Sequence, residues 1–118
     1  WQGGIRPATP PRYVPEIGRE SMKKLAAADW DLFCAGHFGA SSDRTLPERA
    51  LKQNLFWEET IAQTLQDGLS EDETVELLRR EDPELANIAR YAAGAQSREA
   101  YFLGNSVRGF ARFLGRNV

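Results

Sequence analysis

Three prolines, Pro15, Pro47 and Pro83, each stand at the head of a run whose apolar residues recur at helical spacing, and they restrict the architecture more than any other feature. Proline fixes φ near −65° and has no amide proton, so it suits the first turn of a helix and is excluded from the interior. The 118-residue chain is thereby cut into about five helices. The first runs from Pro15 to about Ala28, with Ile17, Ser21 or Met22, Leu25 and Ala28 as its apolar positions and Arg19, Lys23 and Lys24 on the wet side. Asp29-Trp30-Asp31 breaks it. The longest is capped by Thr45, carries Pro47 in its first turn, and stops near Asp67 at Gly68. Leu51, Leu55, Glu58 or Glu59, Ala62 and Leu65 trace one stripe of it, and Phe56, Trp57 and Ile61 widen that stripe, which predicts neighbours on two sides.

Ser70-Glu71-Asp72-Glu73 reads as a capping box that starts a short helix with Val75, Leu77 and Leu78, ended near Pro83. Pro83 opens a further helix carrying Leu85, Ile88, Ala89 and Ala92 up to Gly94. Ser97 caps the last, with Tyr101, Phe102, Val107, Phe110, Phe113 and Leu114 on its apolar side. Gly104 and Gly109 each weaken that helix by roughly 1 kcal/mol against alanine, which predicts close packing or a kink there. Residues 1–14, rich in proline and glycine, cannot sustain a helix and read as an extended entry segment; residues 15–118 read as one helical domain with a modest core.

One stretch breaks this pattern. Asp31 to Gly39, DLFCAGHFG, holds the only histidine, His37, and the only cysteine, Cys34. Its apolar part, residues 32–35, predicts a short buried strand. A strand alone leaves its backbone donors and acceptors unpaired, so its sheet partners are expected outside this chain. The polar residues Ala40 to Thr45 read as a loop. The chain opens on Trp1 rather than methionine, and a piece of a longer protein is the matching expectation.

His37 between small neighbours has the setting of a metal ligand, but a metal takes three or four protein ligands and no second histidine exists here. Asp31, Asp43 and Cys34 could at most supplement it, and from composition alone a structural or solvent-facing histidine is favoured. The same shortage excludes a Ser-His-Asp or Cys-His engine. Cys34, inside the apolar run, is expected to pack in the core. Glu58, Glu59, Glu71, Asp72, Glu73 and Glu76 fall at helix starts or outward faces, where capping and the helix dipole account for them.

The net charge of −2 supplies no global field for nucleic acid or an anionic membrane. The run QDGLSEDETVELLRREDPELANIA has the outline of a helix-turn-helix, but its strong negative charge opposes phosphate contact. Arg98, Arg108, Arg112 and Arg116 are read as a solvated helical face rather than an anion grip. No apolar run is long enough to span a membrane, and a single cysteine fits a reducing cytoplasm.

The order of segments carries more than any one residue. A proline-rich entry leads to ESMKKLAAADWD, then LFCAGHFG, a loop and long helix, then GLSEDETVELL. This resembles the C-terminal part of a metallo-β-lactamase-fold hydrolase of the glyoxalase II-like branch, where a late helix precedes a strand ending in a GHG element and helical extensions follow. The resemblance implies that His37, in the loop of Gly36 and Gly39, is a ligand of a two-metal zinc or iron centre. Phe38 departs from the family pattern by separating the histidine from the second glycine. The H-x-H-x-D-H motif, a further histidine and the bridging aspartate of that family are missing here, and one histidine cannot assemble the metal-activated water.

The expected fold is therefore mainly α, with one short strand near 32–35, as the C-terminal portion of a larger αβ/βα fold. The expected role is to supply one metal ligand and to cover the active site or a dimer interface. The isolated chain is expected to be inert and to hold no metal tightly. Its expected partners are the upstream catalytic domain of the same parent and a second copy, with neither nucleic acid nor membrane. The alternative is a stand-alone helical interaction module. Without the upstream sheet, apolar surface around Leu32, Phe33, Phe56 and Trp57 is expected to be exposed and hidden by self-association.

Overall fold

Pro15 does open the first helix. In the computed structural model, which describes residues 5–9, 12–35, 39–86 and 96–115, α1 spans Pro15–Ala27, α2 Leu46–Gln66, α3 Glu71–Glu81 and α5 Gln96–Gly115. Between the last two, a helix α4 is described over 83–86. The chain is mainly helical, with one small sheet in which β1, Phe33–Ala35, pairs antiparallel with β2, Gly39–Ser41. Ile88, Ala89, Ala92 and Gly94, expected to continue α4, lie outside the described residues.

The sheet corrects the expectation of a strand without a partner. Phe33 faces Ser41, Cys34 faces Ala40 and Ala35 faces Gly39. The partner is Gly39–Ser41, whose small residues have little strand propensity and had read as the start of a loop.

The helix ends are set by local chemistry. At the head of α3, the Ser70 hydroxyl accepts from the Glu73 amide at 3.3 Å while the Glu73 carboxylate accepts from the Ser70 amide at 2.8 Å, so the capping box is complete. At the end of α2, Gly68 sits at φ +72°. The Leu69 amide donates to the Thr64 carbonyl at 2.9 Å and the Gly68 amide to that of Leu65 at 3.3 Å, the Schellman pattern of carbonyl satisfaction. Thr45 is not the side-chain cap it was expected to be. It holds the N-cap position in a helical conformation, and its own amide and hydroxyl donate to Asp43 Oδ1 at 2.9 and 2.6 Å. Ser97 falls inside α5, which begins at Gln96.

The core is formed by Trp57 and Ile61 of α2, Val75 and Leu78 of α3, Leu85 of α4, and Leu103, Val107 and Phe110 of α5, with Tyr13 and Leu114 packed on it. α2 is central, in contact with α1, α3 and α5. Trp57 is fully buried and Phe56 half-buried, so neither belongs to the exposed apolar surface expected around them.

Two stripes are rotated from the apolar spacing. On α1, Ile17 is 65% exposed and Ala28 is exposed, while Pro15, Gly18, Arg19, Met22 and Leu25 turn inward. Polar contacts set this rotation, because Arg19 pairs with Glu58 of α2 and the Tyr13 ring lies against Gly18. Arg19 is thus not on the wet side. On α2, Leu55 and Leu65 are exposed and Gln53, Asn54 and Thr64 are buried beside Trp57 and Ile61. On α5, Tyr101 is 63% exposed rather than facing the core.

Residues 5–9 form neither helix nor strand, yet they are attached. The Ile5 carbonyl accepts from Gln53 Nε2 at 2.7 Å and the Pro7 carbonyl from Ser106 Oγ at 2.6 Å. The Thr9 hydroxyl donates to the Ser106 carbonyl at 3.1 Å, and the Arg6 guanidinium lies 5.0 Å from the centre of the Phe102 ring.

Candidate functional site

His37, with Gly36 and Phe38, lies outside the described residues; its flanks are described. Phe33 is half-buried, 5.6 Å from the Trp30 ring in a tilted arrangement. The Trp30 indole donates to the Leu25 carbonyl at 2.9 Å, and Arg44 lies over its ring at 4.7 Å while donating to the carbonyls of Trp30 and Ala28. Trp30 therefore fastens the hairpin to the end of α1 and the head of α2. Leu32 is 56% exposed. Cys34 is exposed as well, which overturns the expectation of a packed thiol, because in a two-stranded sheet one face has no layer over it.

The residues weighed as supplements to His37 are placed apart in role. Asp31 is exposed. Asp43 accepts from Thr45 and pairs with Arg49 at 3.2 Å; the Thr45 hydroxyl and amide hold its carboxyl below the usual aspartate range. Arg49 also grips Glu84 through Nε at 2.8 Å and Nη2 at 2.5 Å, and that carboxylate raises the guanidinium above its ordinary value. Among the described residues no group of three or more histidine, cysteine, aspartate or glutamate side chains stands close enough to hold a metal ion.

Several acids of the middle helices are engaged in holding the fold, while Glu59 and Asp72 are exposed. Glu58 pairs with Arg19, Glu71 with Arg108 at 2.5 Å, and Glu76 with Arg79 at 3.2 Å. Glu73 is depressed below the glutamate range by the Ser70 amide it caps. Of the terminal arginines, Arg108 also donates to Asn105 and Arg112 is exposed; Arg116 lies outside the described residues.

Sequence reasoning missed the most buried carboxylate among the described residues. Asp82 is 3% exposed. Its Oδ2 accepts from Trp57 Nε1 at 2.7 Å and Gln53 Nε2 at 2.9 Å, and its Oδ1 accepts from the Glu84 amide at 2.9 Å. The available signal was Asp82-Pro83, an N-cap residue ahead of a first-turn proline. With both oxygens occupied by three neutral donors, Asp82 is an anchor that joins α2 to the start of α4.

No family model, curated protein or solved structure matches this chain. Among the described residues, no helix is long and apolar enough to cross a membrane.

Proposed function

We propose that this chain is an accessory helical region that docks through its β1–β2 hairpin onto a larger partner and performs no catalysis by itself. One observation supports the reading. The hairpin has two strands of three residues, its outer edges meet no other strand among the described residues, and Leu32 beside it is exposed. A two-stranded hairpin is marginal in water, and open strand edges are templates for pairing. A partner that adds a strand satisfies the edge and covers Leu32 together.

In the reading that the resemblance implies, this partner is the catalytic domain of a cytoplasmic metallo-β-lactamase-fold hydrolase, and His37 is one ligand of its zinc or iron centre. A second copy of the chain is the occupant when that domain is absent.

Sedimentation of the full chain from micromolar to millimolar concentration tests the docking. The expected result is reversible association that Leu32→Asp abolishes without changing the helical circular dichroism. A chain that stays monomeric at millimolar concentration sinks the reading. Zinc titration tests the second part: the chain alone binds zinc weakly, and micromolar or tighter affinity contradicts a histidine that needs ligands from elsewhere.

A further inference from the structure

Residues 5–9 are held as a bound peptide is held. Two of their main-chain carbonyls, at Ile5 and Pro7, accept from buried side chains of two different helices, Gln53 of α2 and Ser106 of α5. Between those carbonyls Arg6 lies over the Phe102 ring, and two residues beyond them Thr9 donates to main-chain carbonyls of α5. No described residue of the segment is fully buried, and Ala8 is exposed. The buried apolar cluster is built from Trp57 to Phe110 without it. The segment therefore contributes a pattern of polar contacts rather than core volume. Withdrawing it would leave Ser106 Oγ without its acceptor.

We propose that the surface of α2 and α5 bearing Gln53, Phe102 and Ser106 is a peptide-binding site, filled by the chain's own residues 5–9 and able to take the same segment from a second copy. The ligand it fits has two carbonyls two residues apart, a cation on the residue between them, and a hydroxyl two residues beyond the second carbonyl. Nothing in that contact set distinguishes a tethered segment from one supplied by another molecule. The connection to α1 is short, and exchange of an identical segment between copies is a low-cost route to dimers. The tether gives the intramolecular segment an effective concentration in the millimolar range, so exchange is suppressed in dilute solution and exposed when the tethered segment is weakened. This surface is separate from the hairpin, and the proposal does not depend on the hairpin reading.

The test uses the full chain and a fluorescent synthetic peptide with the sequence of residues 1–12. The wild-type chain is expected to bind the peptide only at millimolar concentration. The full-length Arg6→Ala/Thr9→Val variant, with its own segment loosened, binds it about tenfold more tightly or better, a difference well resolved by anisotropy. Adding Ser106→Ala to that variant weakens binding severalfold, and adding Leu32→Asp leaves it unchanged. The proposal is overturned if the double variant, folded by circular dichroism, binds no better than wild type, or if Ser106→Ala has no effect. It is equally overturned if the double variant unfolds, because the segment would then be part of the core rather than an exchangeable ligand.

Discussion

The Trp57 indole donates its N–H to Asp82 Oδ2 at 2.7 Å, with both residues buried. One bond thus joins the centre of α2 to the N-cap of α4, and Gln53 shares the same oxygen at 2.9 Å. A buried carboxylate is costly unless its lone pairs are occupied, and here three donors occupy them. Asp82→Ala strips an acceptor from Trp57, Gln53 and the Glu84 amide together. Leaving buried donors unpaired costs about 1–3 kcal/mol each before relaxation, so the variant is expected to lose roughly 3 kcal/mol or more in urea unfolding. Trp57→Phe removes one donor together with part of a fully buried ring, so its loss combines the missing bond with a core cavity. A loss below about 1 kcal/mol from Asp82→Ala would contradict a shared anchor.

Gly68 at φ +72° closes α2, with open space where a Cβ would stand. The cost of a side chain there is conformational rather than steric. Gly68→Ala is expected to destabilise by about 1 kcal/mol and Gly68→Asn by less, since asparagine tolerates the left-handed region. Thermal unfolding of the two variants checks the order, and alanine matching glycine would contradict it.

Gly104 behaves differently. A Cβ there would come within 2.8 Å of Glu71 Oε1, the free end of a flexible side chain paired with Arg108. Both members of that pair are partly exposed, so displacing it costs little, while alanine gains about 1 kcal/mol of helix propensity over glycine. Gly104→Ala is therefore expected to be neutral or stabilising by up to about 1 kcal/mol, with Arg108→Ala then nearly silent in that background. A loss above 1 kcal/mol would mean that the backbone, not the carboxylate, is the obstacle.

What was legible in the sequence is what local backbone chemistry decides. Pro15, Pro47 and Pro83 mark helix starts, Ser70 and Glu73 form the capping box, and Gly68 ends α2, because each acts within four residues of itself. Helix rotation was not legible. On α1 it depends on Arg19 meeting Glu58 and on Tyr13 lying against Gly18, contacts that a search for apolar spacing passes over. On α2 the buried Gln53 and Asn54 are polar, and only their partners Asp82 and Tyr13 explain their burial. The second strand was hidden by its Gly-Ala-Ser composition. Of the candidate site, the strand beside His37 was read correctly and its partner was not.

Glu73 links the capping box to pH. Its folded-state pKa is lowered by the Ser70 amide and hydroxyl, so its contribution is fully present above the unfolded glutamate value near 4.3 and is lost as pH falls through the lower folded value. Asp43, depressed by Thr45, acts in the same direction. Ser70→Ala, which keeps the amide donor and removes only the hydroxyl, is expected to lower stability at neutral pH by about 1 kcal/mol and to flatten the acid limb of a stability-against-pH curve in part. A variant with an unchanged acid limb would assign the acid sensitivity to other carboxylates.

Tyr13 supplies the alkaline counterpart. Its ring stands edge-on to Phe110 with centroids 5.0 Å apart, and its hydroxyl accepts from the amide of buried Asn54, whose Oδ1 has no hydrogen-bond partner among the described residues. Burial disfavours the phenolate and raises the phenol above its ordinary value, against the opposing pull of the Asn54 bond and Arg19. A raised folded value means stability that is complete below the unfolded value of about 10 and declines as pH rises through the folded one. Tyr13→Phe is expected to remove that component of alkaline destabilisation, while costing about 1–2 kcal/mol at neutral pH because Asn54 loses its partner. Gly18→Ala approaches the same ring from the helix side: a Cβ would collide with the hydroxyl and stand 3.0 Å from Cζ. Because Phe110 backs the ring, Gly18→Ala is expected to destabilise despite its gain in helix propensity, and Tyr13→Phe to relieve part of that loss. Chemical denaturation of the two single variants and the double variant measures the coupling, and strict additivity would show that Gly18 and Tyr13 do not share the space assigned to them.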